Sequence, residues 1–291
     1  MNACYWSKLL LFGEYSMIFD SQGLVIPMKK FSAKWKKGES EILRFSRGEL
    51  RKFARFLSED ELLLDVIDTT AFRNDLEDGL ALATNVPFGY GLGSSGTVVA
   101  AVYDRYAREK VQNPLELKKI FSRMEGYFHG SSSGIDPLQC YIGKPFRIGA
   151  DGVQILPDDF LPENVYIGLL DTKVKSNTKP LVDGFKKQRE DSAFLHDFEQ
   201  NYLPCVNACM DTLICGETSA FFEAFRKLSH AQTHFFSKMI PESVRPLFEK
   251  SAEAPFAIKI LGSGGGGYML LMTDDAAEAS KYLEGFEVMW V

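Results

Sequence analysis

Between Pro87 and Ala101 the chain reads PFGYGLGSSGTVVAA. Glycines at 91, 93 and 96 bracket two serines and run straight into apolar residues, so the segment has to be a tight turn that opens a helix. Glycine allows the positive-φ backbone such turns need and, lacking a Cβ, lets amide groups come close to a ligand. The letters fit two patterns. Gly91-Leu92-Gly93-Ser94-Ser95-Gly96 spells G-x-G-x-x-G, the dinucleotide fingerprint. Pro87 to Ser95 also spells P-x-x-x-G-L-G-S-S, a phosphate loop of a different kind.

A dinucleotide site needs a strand, the glycine turn, a helix and then a second parallel strand with an acid about 20 residues on. LALATNV (Leu80–Val86) reads as the strand and TVVAAVYDRYAREK (Thr97–Lys110) as the helix. The next segment, from Pro114 to Met124, has helical spacing instead, and Glu116 occupies the distance where the acid should lie. No G-K-[ST] follows the glycines, so a Walker A loop fails as well. What is left is an anion cradle. Backbone amides at Gly91 and Gly93, hydroxyls at Ser94 and Ser95 and the positive end of a helix together suit a triphosphate.

Two further runs carry chemistry. In EGYFHGSSSGID, Glu125 near a helix end and Asp136 are joined by a Gly/Ser loop. Two carboxylates at unequal distances from a phosphate can divide labour, one holding a metal and the other facing the attacking hydroxyl. In KILGSGGGGY (Lys259–Tyr268), four consecutive glycines join two apolar strands. Ordering them carries a high entropic cost, which points to close approach by a ligand or a neighbouring backbone rather than to a linker.

Composition narrows the classes. The net charge of −6 argues against a nucleic-acid partner. The lysines of MKKFSAKWKKG alternate as on the solvated face of an edge strand. The five cysteines include no C-x-x-C pair, so reduced buried thiols are expected rather than a metal site. His230 and His234 in SHAQTH lie at i, i+4 without the glutamate of H-E-x-x-H, which favours a structural or pocket-lining role. The N-terminal residues lack a signal-peptide pattern and no apolar run is long enough to span a bilayer, so a cytoplasmic location without membrane contact is expected.

Periodicity predicts strands at Ser7–Phe12 and Leu24–Trp35, a helix at Glu49–Leu57 and short strands between Gln139 and Ile155. Residues Gly149–Asn164, with two prolines and four acids, read as a linker. A second half follows, with a strand at Val165–Asp171 and helices at about Leu181–Asp191, Phe198–Cys215 and Thr218–Ile240. It closes with strands at Phe256–Leu261 and Tyr268–Met272, a helix and a last strand. The fold class expected is α+β in two domains.

Together the three glycine runs resemble the motifs of the GHMP kinases. PFGYGLGSSGT is similar to the family's P-x-x-x-G-L-G-S-S-A-A, with Gly96 and Thr97 where alanines are usual. SKLLLFGEYSMIFD resembles the N-terminal K-x-x-L-x-G-E-H-x-V, and KILGSGGGGY the C-terminal glycine motif. HGSSSGID and DTKVKSNTKPLV are most similar to the mevalonate kinase branch, with Ser132 for a usual proline, Tyr15 for histidine and Ser176 for arginine. Homoserine kinases generally lack the aspartate carried here by Asp136.

The resemblance implies a ribosomal protein S5 domain 2-like N-terminal domain and a ferredoxin-like C-terminal domain, placed at residues 1–157 and 158–291. It implies ATP and Mg²⁺, with Pro87, Gly91, Leu92, Gly93, Ser94 and Ser95 around the nucleotide and Ser95 and Glu125 on the metal. Asp136 would be the base with Lys8 beside it, and Glu14, Tyr15, Thr178 and Gly264 would line the place of a small acceptor, mevalonate or similar. A monomer or homodimer is expected. Alternatives are a family kinase for phosphomevalonate, a sugar or another hydroxy acid, a catalytically silent ligand-binding relative, or, further off, a dinucleotide oxidoreductase.

Overall fold

The computed structural model describes residues 3–19, 21–38, 46–176 and 178–291; the side chains at 178 and 179 lie outside the description. Nine strands can be placed among these residues: β1 (Tyr5–Phe12), β2 (Gly23–Lys37), β3 (Leu80–Thr84), β4 (Phe146–Gly149), β5 (Gly152–Ile155), β6 (Tyr166–Asp171), β7 (Ala257–Ile260), β8 (Tyr268–Thr273) and β9 (Glu287–Trp290). One sheet runs β1-β2-β4-β5, with β3 also paired to β2 in antiparallel register from Ala33↔Thr84 to Lys37↔Leu80. Lys29, Lys30, Lys34, Lys36 and Lys37 are exposed on β2, as the alternation implies. The edge position expected for that strand is wrong: β2 pairs with β1, β3 and β4, so its lysines face solvent from the interior of a sheet.

The chain divides into two compact units that do not follow a single cut. The first comprises Met1–Leu9, Ile26–Phe88 and Leu92–Phe146, the second Leu10–Val25, Gly89–Gly91 and Arg147–Val291. In the first, the helix Ser94–Tyr106 is buried at almost every position from Ser95 to Tyr103 and packs against the helices Pro114–His129 and Ile135–Ile142. Local chemistry sets the helix ends. Ser46 and Glu49 form a capping box for Arg47–Glu59, and Asn113 caps Pro114–His129, which begins on a proline whose missing N–H needs no partner there. Two short helices, Glu61–Val66 and Thr69–Glu77, start on the aspartate caps Asp60 and Asp68.

The stretch after Asp136, expected as strand near Gln139, is the helix Ile135–Ile142. Gly134 opens it at φ 74° and Gly143 closes it at φ 67°. A Cβ at Gly134 would lie 2.1 Å from the Lys118 carbonyl oxygen, so only glycine fits there.

In the second unit an antiparallel sheet of order β7-β8-β6-β9 carries the helix Thr218–Phe235 on β7, with Leu203–Ile214 packed beside that helix. A cluster of Phe185, Phe198, Tyr202, Phe235 and Phe236 fills its core, in keeping with the expectation that most phenylalanines are structural. The segments Leu10–Val25 and Gly89–Gly91 group here through specific contacts. Lys259 Nζ donates to the Glu14 carboxylate, Tyr15 donates to the Ser263 carbonyl, and Gly91 lies against Leu261. Of the cysteines, all free, Cys140 and Cys209 are buried, Cys4 and Cys205 are half-buried and Cys215 is exposed, so the expectation of buried thiols holds for two. Among the described residues no helix is long and apolar enough to cross a membrane.

Candidate active site

Within the first unit Gly93 and Ser95 of the phosphate loop, both carboxylates and the lysine converge. Val86 leaves β3 and the chain turns through Pro87 to Gly93, which takes φ 73° and ψ 41° at the start of the helix Ser94–Tyr106. No side chain caps that helix, so its leading N–H groups have no capping partner from the turn. The backbone N–H of Lys8 donates to the Leu92 carbonyl at 3.2 Å, which ties β1 to the turn. A Cβ on Gly93 would stand 2.8 Å from the Lys8 side chain and 3.6 Å from Asp136 Oδ2. The glycine therefore makes room for those two groups.

Lys8 Nζ lies 2.9 Å from Asp136 Oδ1; the lysine side chain is 4% exposed and the aspartate 31%. The aspartate thus opens outward from a buried cation. Ser95 Oγ donates to Glu125 Oε1 at 2.7 Å, and Ser132 Oγ donates to the other oxygen, Oε2. Burial above all, and then the charge of Asp136, push the Glu125 carboxyl up to about 7, against the Ser132 and Ser95 hydroxyls and Lys8, which pull it down. His129 Nε2 is 3.0 Å from Ser95 Oγ. With the serine proton directed to Glu125, His129 acts as the donor there, and burial lowers its pKa.

Sequence reasoning assigned no role to His129 or to the Ser132 hydroxyl. The i, i+4 spacing of Glu125 and His129 on one helix was the available signal, since it puts both on one face. Gly96, which stands where the family pattern has alanine, has a local cause. A Cβ there would come within 2.9 Å of the backbone at Asp136 and Pro137. Gly96→Ala should therefore force two helices apart and lower stability by about 1–3 kcal/mol, as overpacking does. Calorimetry would show it as a lower Tm, and an unchanged Tm would mean the helices part freely.

The second unit holds Glu14, Tyr15, Gly91, Thr178 and Gly264. Glu14 is 4% exposed and forms a buried ion pair with Lys259. Tyr15 is buried, and its hydroxyl donates to the Ser263 carbonyl at 2.8 Å. Thr178 opens the helix Thr178–Gln188, and its side chain lies outside the described residues. Gly264 adopts φ 67°, and a Cβ there would meet the Met239 carbonyl oxygen at 2.8 Å. Gly266, at φ 152°, would bring a Cβ to 2.5 Å from the Val174 carbonyl oxygen. Neighbouring backbone thus accounts for two of the four glycines, Gly264 and Gly266. His234 meets Asp197 at 3.1 Å and with His230 lines a cavity of about 700 Å³. Among the described residues no group of three or more His, Cys, Asp or Glu is placed to hold a metal.

Residues 60–144 match the family model for the GHMP kinases N terminal domain, a span that includes the glycine turn, Glu125 and Asp136. The chain thus carries a GHMP kinase N-terminal domain on the two-domain α+β fold of that family, and GHMP kinases are ATP-dependent kinases of small molecules. Among curated proteins it is similar to mevalonate kinase of Thermococcus gammatolerans, 25% identical, with 92% of this chain and 88% of that one aligned. Among solved structures it resembles Streptococcus pneumoniae phosphomevalonate kinase, with a TM-score of 0.70 at 18% identity over 99% of this chain and 98% of that one. It also resembles L. major mevalonate kinase in complex with R-mevalonate, with a TM-score of 0.68 at 14% identity over 100% of this chain and 95% of that one.

Proposed function

We propose that this chain transfers the γ-phosphoryl group of ATP to the C5 hydroxyl of mevalonate. The observation that carries the reading is the Lys8–Asp136 pair at 2.9 Å beside the Gly93 turn, in the same unit as the Ser95–Glu125 bond. Curated relatives named mevalonate kinase, similar over nearly their whole length, support the acceptor.

Phosphoryl transfer passes through a loose transition state, so placement and charge do most of the work. Asp136 accepts the proton of the attacking alcohol as its bond to phosphorus forms. Lys8 sets a cation beside the same oxygen, where negative charge develops. The open end of the helix Ser94–Tyr106, with the Gly93 and Ser94 amides, receives the phosphates.

The residues present suit magnesium. Ser95 and Glu125 supply hard oxygen donors, and a buried carboxyl pushed up to about 7 is one that a cation would return to its ionised form. Ser95 and Glu125 would hold the ion, which when bound would neutralise charge on the β- and γ-phosphates. His129 would fix the serine hydroxyl, and Ser132 the far carboxylate oxygen.

Glu125→Gln should raise the Mg²⁺ concentration for half-maximal rate by about tenfold or more, and an unchanged Mg²⁺ titration would refute the metal role. The same variant tests the buried carboxyl without metal. The unfolded group ionises near 4.5 and the folded one near 7. Between those values the folded state holds more protons, so stability falls as pH rises and the loss is complete above the folded pKa. In EDTA the variant should exceed the parent by on the order of 2 kcal/mol at about pH 8 and lose that advantage near pH 4. A gain equal at both pH values would contradict this.

A coupled ADP-release assay across mevalonate, phosphomevalonate, homoserine and a sugar panel tests the acceptor. Turnover with mevalonate alone is expected. A blank there with a signal from phosphomevalonate or a sugar would overturn the assignment.

A further inference from the structure

The two departures at Tyr15 and Ser176 converge on one feature. Tyr15 takes φ 60°, unusual for a residue with a side chain, and its ring packs on Phe185 and Phe236 with centroids 4.5 and 5.1 Å away. That placement aims its hydroxyl at the Ser263 carbonyl, 2.8 Å away. Ser176 Oγ donates to the next carbonyl along, that of Gly264, at 2.6 Å, and lies 3.3 Å from Ser263 Oγ. Two hydroxyls from distant parts of the sequence thus hold consecutive carbonyls at the entrance of the glycine run.

The rest of the run is held by backbone. Gly265 N–H donates to the Met239 carbonyl and Gly267 N–H to that of Val174, while the Gly267 carbonyl accepts from both the N–H and the hydroxyl of Thr172. All four glycines sit at positive φ: 67°, 75°, 152° and 68°. Such a backbone has many alternative conformations open to it when its anchors are lost. The donors to Ser263 and Gly264 stop their peptide planes from rotating.

We propose that Tyr15 and Ser176 act together as positioning residues that lock the carbonyls of Ser263 and Gly264, and through them give the glycine run the shape on which acceptor affinity depends. The affinity half rests on the proposed kinase function; the conformational half does not. Neither hydroxyl is assigned contact with reacting atoms.

The test compares Tyr15→Phe, Ser176→Ala and the double variant by hydrogen exchange at the amides of Gly264–Gly267. A hydrogen bond contributes about 1 kcal/mol net, so each single change should speed exchange there roughly fivefold, and the double should exceed either. Ser176→Thr keeps the hydroxyl and should exchange like the parent. The acceptor KM should rise about as much as exchange does, with kcat held within about twofold. Parent-level exchange in either single variant overturns the joint role, as does a threonine variant as fast as the alanine one. Faster exchange with an unchanged KM overturns the link to affinity. If mevalonate is not turned over, the function assignment fails, the KM arm moves to the acceptor that is, and the exchange result still decides the lock.

Discussion

Asp136→Asn is expected to lower turnover about 10³-fold, within the range seen when a positioned acid or base is removed. An alcohol surrenders its proton only as its oxygen bonds to phosphorus, so an amide that cannot accept it leaves the step to water. The side chain is 31% exposed, and asparagine fills nearly the same space, so the variant should fold and bind ATP as the parent does. Lys8→Met separates the two members of the pair: it should also slow turnover while leaving a competent base in place. The measurements are single-turnover rate and nucleotide affinity, side by side. Near-normal turnover in a folded Asp136→Asn protein would remove Asp136 from the chemistry, whatever the acceptor.

The second large effect concerns stability. Lys259→Met should destabilise the protein by about 3–5 kcal/mol, because it leaves the Glu14 carboxylate buried without the ammonium now bonded to it. Both side chains are almost fully enclosed, at 0% and 2% exposure, so water cannot replace the lost partner. Lys259→Met with Glu14→Leu removes both charges and should recover most of the loss, since apolar replacements of a buried pair are often neutral or better. Urea denaturation of the parent, single and double variants measures this. A single variant as stable as the parent would mean that the pair adds nothing to the fold.

The pair also shows where sequence stops informing. For Glu14, in the GEY motif, the resemblance implies a place near the acceptor, and the motif gives type and order but neither burial nor partner. Its partner lies 245 positions on, and no local pattern links the two. Features enforced by backbone were easier to see. Gly134, Gly96 and Gly266 occupy places where a Cβ would strike a carbonyl or a peptide bond, and such positions leave their mark as glycine-rich runs. The convergence of Lys8, Ser95, Glu125 and Asp136 could be anticipated only from resemblance, since spacing alone could not bring residue 8 to residue 136. Short helices such as Glu61–Val66 offer too few apolar repeats to register, and their aspartate caps are the main local sign. The lysine-rich strand showed its wet face, but pairing on both sides depends on partners far away in sequence.

The second unit has a consequence for how the chain is made. Glu14 is synthesised long before Lys259, 245 positions on, and β6 acquires its neighbour β9 only when Glu287–Trp290 has been made. That unit therefore cannot close until β9 has been made, and its N-terminal piece has to wait for partners more than 200 residues on. A C-terminal half produced by cutting the gene after Pro157 would lack Leu10–Val25 and Gly89–Gly91 of its own unit, and should recover structure only when mixed with the N-terminal half.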